Sequence, residues 1–122
     1  MSDNAVIREE NILNSIKKLL GIMPDITAFD QELIIHINAV FTILHQEGIG
    51  PNAGFAISSG EEEWSDYFGE DLSENLYNSV KTLVYMRVKM IFDPPTNSAL
   101  LESFNKVINE LEYRLYTESG GY

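Results

Sequence analysis

Apolar residues recur at helical spacing over four long stretches of the chain, and the pattern breaks between them at glycine and proline. Ile12, Leu13, Ile16, Leu19 and Leu20 fall on one stripe and predict a helix over about 7–20. Glu9 and Glu10 stand at its positive end and Lys17 and Lys18 at its negative end, as the helix dipole favours. Gly21 suits the left-handed position after the last turn, and Pro24 prevents continuation. A second helix is predicted from Asp30, read as its N-cap, to Glu47. Its main face is Leu33, Ile34, Ile37, Val40, Phe41 and Leu44, with Ile35 and Ile43 well off that stripe. A helix apolar beyond one stripe is either central in its own core or shared with a neighbour.

Residues 48–60 are rich in Gly, Pro, Asn and Ser and read as an irregular loop. Phe55 and Ile57 alternate with small residues there, which suits a short extended piece or a hairpin. A short acidic helix is predicted over 61–68, ending at Gly69, with Trp64 and Phe68 on one side. Trp64 reads as a core anchor or, alternatively, as a stacking surface. The third long helix is predicted from Ser73, its cap, to Phe92, where Asp93-Pro94-Pro95 stops it. Its stripe is Leu76, Val80, Leu83, Val84 and Ile91. Arg87 lies inside that stripe, so it snorkels, pairs with a carboxylate, or reaches a partner subunit. The last helix is predicted over 98–116, roughly 28 Å long, with Leu100, Leu101, Phe104, Val107, Ile108, Leu111 and Leu115 inward.

The expected fold is therefore all-α: a four- to five-helix bundle with a long C-terminal antiparallel helical hairpin and an irregular loop at 48–60. One domain over 1–122 is expected, with 1–6 and 117–122 as flexible ends. The apolar fraction of 44% is enough for a packed core. The absence of cysteine excludes a disulfide framework and thiolate metal sites. The first ten residues lack a basic region followed by an apolar run, so no signal peptide is expected, and no stretch is apolar enough to span a membrane.

Net charge is −11, unevenly spread. Residues 1–60 hold three bases and seven acids, and residues 61–122 hold five bases and twelve acids. Seven of those acids fall within 61–74, which contains no base. Such a surface repels nucleic-acid phosphate, or meets a basic partner, or serves only solubility.

No catalytic constellation is legible. His36 and His45, nine apart on one helix, point to nearly opposite sides and cannot share a metal. Gly48-Ile49-Gly50 follows a helix rather than a strand and lacks the lysine of a phosphate cradle. The acids of 61–74 are expected to be solvated, without the raised pKa that acid catalysis requires. No enzyme activity, cofactor or metal is expected.

Several stretches together resemble the head–tail connector (adaptor, or head-completion) proteins of tailed bacteriophages, of the type found in phages and prophages of Gram-positive hosts. The main one runs from Val80 through Tyr85-Met86-Arg87-Val88-Lys89 to Phe92-Asp93-Pro94-Pro95. Leu111-Glu112-Tyr113-Arg114-Leu115 resembles that family's last helix. Phe29-Asp30, Leu33 to Asn38, Gly48-Ile49-Gly50-Pro51 and Trp64-Ser65-Asp66 fit upstream, so the likeness covers 8–117. Departures are expected in 60–73 and the C-terminal tail. The resemblance implies a virion protein at the head–tail junction, assembled in the host cytoplasm, with no membrane partner. It implies a ring of copies, commonly twelve, beneath the portal protein, extending the channel through which genomic DNA passes without sequence-specific binding. The ring would offer a platform to the next head-completion or tail protein. The candidate subunit or partner contacts are Ile35, Ile43, Trp64, Tyr85, Arg87 and Lys89. Two other readings stay open: a small acidic regulator that binds a basic DNA-binding protein, and a helical enzyme subunit with a site shared between chains.

Overall fold

Asn11 starts the first helix, because its side chain accepts a hydrogen bond from the Asn14 N–H at 2.9 Å. A computed structural model describes residues 10–71 and 73–118. In it α1 spans Ile12–Leu19, α2 Asp30–Gln46, α3 Trp64–Phe68, α4 Glu74–Phe92 and α5 Ser98–Glu118. The first helix is expected from about residue 7, but Glu10 is not helical and Asn11 is extended, so the helix begins only at Ile12. The flexible end expected at 1–6 lies outside the described residues. α2 and α4 pack along one another, α5 lies against α4, and α1 touches both α2 and α4. The result is an all-α bundle, and its buried apolar side chains form one cluster.

The six residues expected on the inner face of α2 are all buried. Ser73 caps α4, accepting from the Leu76 N–H at 3.2 Å, and α4 ends at Phe92 before the two prolines. Other expectations are corrected. Asp30 is not a cap: Phe29 holds the N-cap position, and Asp30 is the first helical residue. Its carboxylate instead meets Lys17 at 2.9 Å. Lys17 is fully buried, and its ammonium also donates to the Pro24 carbonyl at 3.1 Å. A buried ammonium requires such partners. This contact sets the angle at which the 20–29 connection enters α2.

The alternation at Phe55 and Ile57 does not produce a hairpin. The Ile57 backbone pairs with a side chain: Asn38 Nδ2 donates to the Ile57 carbonyl, and the Ile57 N–H donates to Asn38 Oδ1, both at 2.8 Å. An amide thus replaces the neighbouring strand, and Ile57 is driven into the core. The only bridge of β type among the described residues is the isolated pair Asn11 and Glu63. That bridge brings the loop back to the start of α1.

Trp64 then closes the core. It is fully buried, and its indole N–H donates to Ser15 Oγ at 2.8 Å. Ser15 in turn donates to the Ile12 carbonyl at 2.9 Å. Around the indole stand Phe41, Tyr67, Phe68 and Tyr77, with ring centroids 6.1–6.5 Å away and mostly edge-on. Phe55 meets Phe41 edge-on at 5.2 Å, carrying the irregular loop into the same cluster.

Four residues placed on inward stripes by periodicity are exposed: Leu19, Ile91, Leu100 and Val107. α5 packs mainly against α4, and only Ile108 and Leu115 are buried along it. α5 also runs to Glu118, so 117–118 are helical rather than part of a flexible tail; residues 119–122 lie outside the described ones.

Two stability outcomes follow. Lys17→Ala leaves Asp30 half-buried without its cation, and urea unfolding is expected to show a loss of about 2–4 kcal/mol. Lys17→Met combined with Asp30→Asn removes both charges and should recover most of that loss; a double variant no better than the single would refute the pairing. Glu62 is the second case. Burial raises its carboxyl, but hydrogen bonds from the Ser58 N–H and hydroxyl and the Ser59 N–H outweigh this and hold its pKa at about 2. A lowered carboxyl pKa stabilises the fold above the ordinary carboxylate range, and the gain disappears as pH falls through the folded value. Glu62→Gln should therefore lower the urea midpoint at pH 7, with the two proteins converging as pH approaches 2.

Candidate functional site

The residues expected to meet other subunits do not form one patch. Ile35 projects from the outer face of α2 with 66% of its surface exposed. Ile43 and Tyr85 are half-buried. Trp64, expected at a contact, is fully enclosed by the aromatic cluster and offers no surface to a partner.

Arg87 and Lys89 are engaged within the chain. The Arg87 guanidinium holds Glu112 of α5 by an ion pair, and its Nε–H donates to Glu112 Oε2 at 2.6 Å. Both side chains are largely covered, so the pair fastens α5 to α4. Glu47, from the end of α2, feels this pair. Burial first, and then the Glu112 charge, push its carboxyl above the ordinary range, while Arg87 pulls the other way. Lys89 donates to the Asp93 carbonyl at 3.2 Å and lies 3.5 Å from the Asp93 carboxylate, closing the end of α4.

This pattern extends to most of the cations. Of the eight lysines and arginines, Arg8 lies outside the described residues. Five of the rest sit against acids of the same chain: Lys17 with Asp30, Lys81 with Glu10, Arg87 with Glu112, Lys89 with Asp93 and Arg114 with Glu110. The cations are thus largely neutralised internally, and the excess acid faces outward.

The surface that the sequence reading missed is apolar and sits at one end of the bundle. The Phe29 ring meets the Phe92 ring edge-on at 5.3 Å, so the connection into α2 lies at the C-terminal end of α4. Met23, Ile26 and Phe29 on that connection, Ile91 beside Phe92, and Leu100 just past the proline turn are all exposed there. The signal was present in the sequence: five large apolar residues, Leu20, Ile22, Met23, Ile26 and Phe29, occupy the ten positions between α1 and α2. Large apolar side chains left exposed on these neighbouring segments make this end a candidate interaction surface.

Among the described residues no group of three or more His, Asp or Glu side chains could hold a metal, and no helix is long and apolar enough to cross a membrane. His36 stands 3.5 Å from Glu32, and His45 Nε2 lies 3.0 Å from the Asn52 carbonyl, on different sides of α2.

A family model described as "Phage connector protein" matches residues 12–121, which takes in all five helices. No curated protein and no solved structure matches the chain. With its whole helical body inside that match, the chain belongs to the phage connector protein family.

Proposed function

We propose that this connector acts as a ring-forming subunit beneath the portal protein, where copies surround the DNA channel and present a platform to the next head-completion or tail protein. The observation that carries the reading is the extent of the family match: it covers the bundle from the first residue of α1 past the end of α5, so the role attaches to the whole fold. The surfaces suit it. A closed ring joins two different faces of each subunit. This chain has an apolar end at Met23, Ile26, Phe29, Ile91 and Leu100, and a separate exposed isoleucine, Ile35, on the outer face of α2.

Electrostatics supports the passage of DNA. Acids outnumber bases by nineteen to eight, and five of the bases sit in ion pairs within the chain. A wall of this kind gives phosphates no cations on which to displace counterions, so DNA slides past without adhering. The subunit works by position and carries out no catalysis. It acts in the virion, at the head–tail junction, after assembly in the host cytoplasm. Both the portal and the following component would bind it as docking surfaces, without a cofactor.

Negative-stain electron microscopy of the concentrated protein, alone and with its cognate portal, tests this. Rings, or an added layer of density beneath the portal, are expected. A protein that stays monomeric and ignores the portal, while binding a basic DNA-binding protein one-to-one, would replace this reading with that of an acidic regulator. Ile35→Glu gives the finer check. It should deplete rings about tenfold or more, while the melting temperature stays within a few degrees, because exposed substitutions cost about 0.5 kcal/mol or less. Undiminished rings would remove Ile35 from the subunit contact.

A further inference from the structure

Two adjoining hollows, of about 380 and 320 Å³, run between the 48–51 turn, residues 66–71 with Ser73, and the end of α5. They share Ile49, Gly50, Asp71 and Leu76, so they form one groove. Its apolar walls are completed by Phe68 at one end and Leu115 at the other. Asp66, Asp71 and Glu118 stand along it, and no lysine or arginine is among its lining residues.

Tyr67 lines the same groove. Its side chain is 4% exposed, and its hydroxyl has no hydrogen-bond partner among the described residues. That hydroxyl ends in the wall under Gly50. A Cβ on residue 50 would stand 2.5 Å from the oxygen, and φ there is +93°, so only glycine fits. Buried hydroxyls are normally satisfied, and an orphan in a cavity wall calls for an unaccounted partner. Burial also pushes its phenol pKa up, so the group remains an O–H donor in search of an acceptor.

We propose that this groove docks a segment of a different protein, one that carries an apolar side chain flanked by lysine or arginine. The apolar side chain fills the hollow over Ile49 and Leu76. The cations meet Asp66, Asp71 and Glu118. The Tyr67 hydroxyl lies in the wall beneath the segment, covered by Gly50. A second copy of this chain is a poor occupant, because five of its described cations are already held by its own carboxylates. Nucleic acid is excluded by the sign of the charge. The proposal names a partner class for one surface and does not require that copies close into a ring.

The test uses the full chain, with acetyl-Leu-Lys-Leu-Lys-Leu-Lys-amide as probe and its glutamate counterpart as control, followed by amide chemical shifts and calorimetry. Saturable shifts confined to Gly48, Gly50, Gly69, Leu76 and Glu118 are expected with the lysine peptide, and none with the glutamate peptide. The triple variant Asp66→Asn, Asp71→Ser, Glu118→Gln should weaken binding about tenfold. Its replacements keep acceptors for the bonds that Asp66 and Asp71 receive from the Glu63 and Ser73 N–H groups. The matched variant Glu32→Gln, Glu61→Gln, Glu102→Gln removes as many charges away from the groove and should bind as the parent does. Equal weakening in both variants, or shifts spread without saturation along 61–74, would overturn the proposal and leave a diffuse acidic surface. Shifts at the groove amides on concentrating the protein alone would overturn it in favour of self-association. Peptide binding by a protein that forms no rings would leave this inference standing while removing the ring; rings with no peptide binding would do the reverse.

Discussion

An indole cannot be buried without giving its N–H a partner, and for Trp64 that partner is Ser15, 49 residues away along the chain. The bond does more than satisfy one donor. It fixes where α3 lies against α1, and the Trp64 N–H of the backbone repeats the connection by donating to the Glu10 carbonyl at 3.1 Å. Five residues of helix cannot hold themselves in water. α3 is therefore held by what it buries, namely Trp64, Tyr67 and Phe68 in the aromatic cluster. With α3 in place, the 48–63 stretch is tied at both ends and braced in the middle by Asn38. Removing the indole would free the loop, the groove beside it and the start of α1 together.

The charges follow the same economy of contact. A chain of net charge −11 resists its own compaction. Its cations therefore do most where two helices or a helix end must be joined. Lys17 joins α1 to α2, Lys81 joins α4 to Glu10, two residues ahead of α1, and Arg87 joins α4 to α5. Lys89 secures the end of α4. The first three lie on seams between elements, whereas Lys89–Asp93 and Glu110–Arg114 are more exposed pairs four residues apart, of the weak surface kind. The consequence for assembly is direct: the outward surface is acidic because the inward seams use the bases.

Much of the fold was legible in the sequence. Helical spacing gave the inner face of α2 residue for residue, and the Ser73 cap and proline stop gave α4 to within one residue. Local chemistry decides such features. What failed depended on distant residues. Asp30 looked like a cap because aspartate favours that position, yet a lysine 13 positions upstream captured it. Phe55 and Ile57 alternate like a strand, but the groups that satisfy the Ile57 backbone belong to Asn38 on α2. Of the proposed contacts, Arg87 resolves to its carboxylate reading and Trp64 to the core. Ile35 alone among them remains a large apolar side chain that is mostly exposed.

Leu19, Ile91, Leu100 and Val107 show a different kind of failure. Their spacing is correct for burial, and the chain leaves them exposed. A hydrophobic pattern records that a position is to be covered, not which chain covers it. In a protein that works alone, the pattern and the core coincide. Here α5 has an apolar arc wider than the seam it makes with α4, and the surplus falls at Leu100 and Val107, with Ile91 beside the same turn. The surplus continues through Met23, Ile26 and Phe29. The positions at which periodicity overstates burial are therefore the ones to expect beneath a neighbouring molecule. If copies of this connector assemble as proposed, the mismatch between stripe and core is where their contact surface would fall.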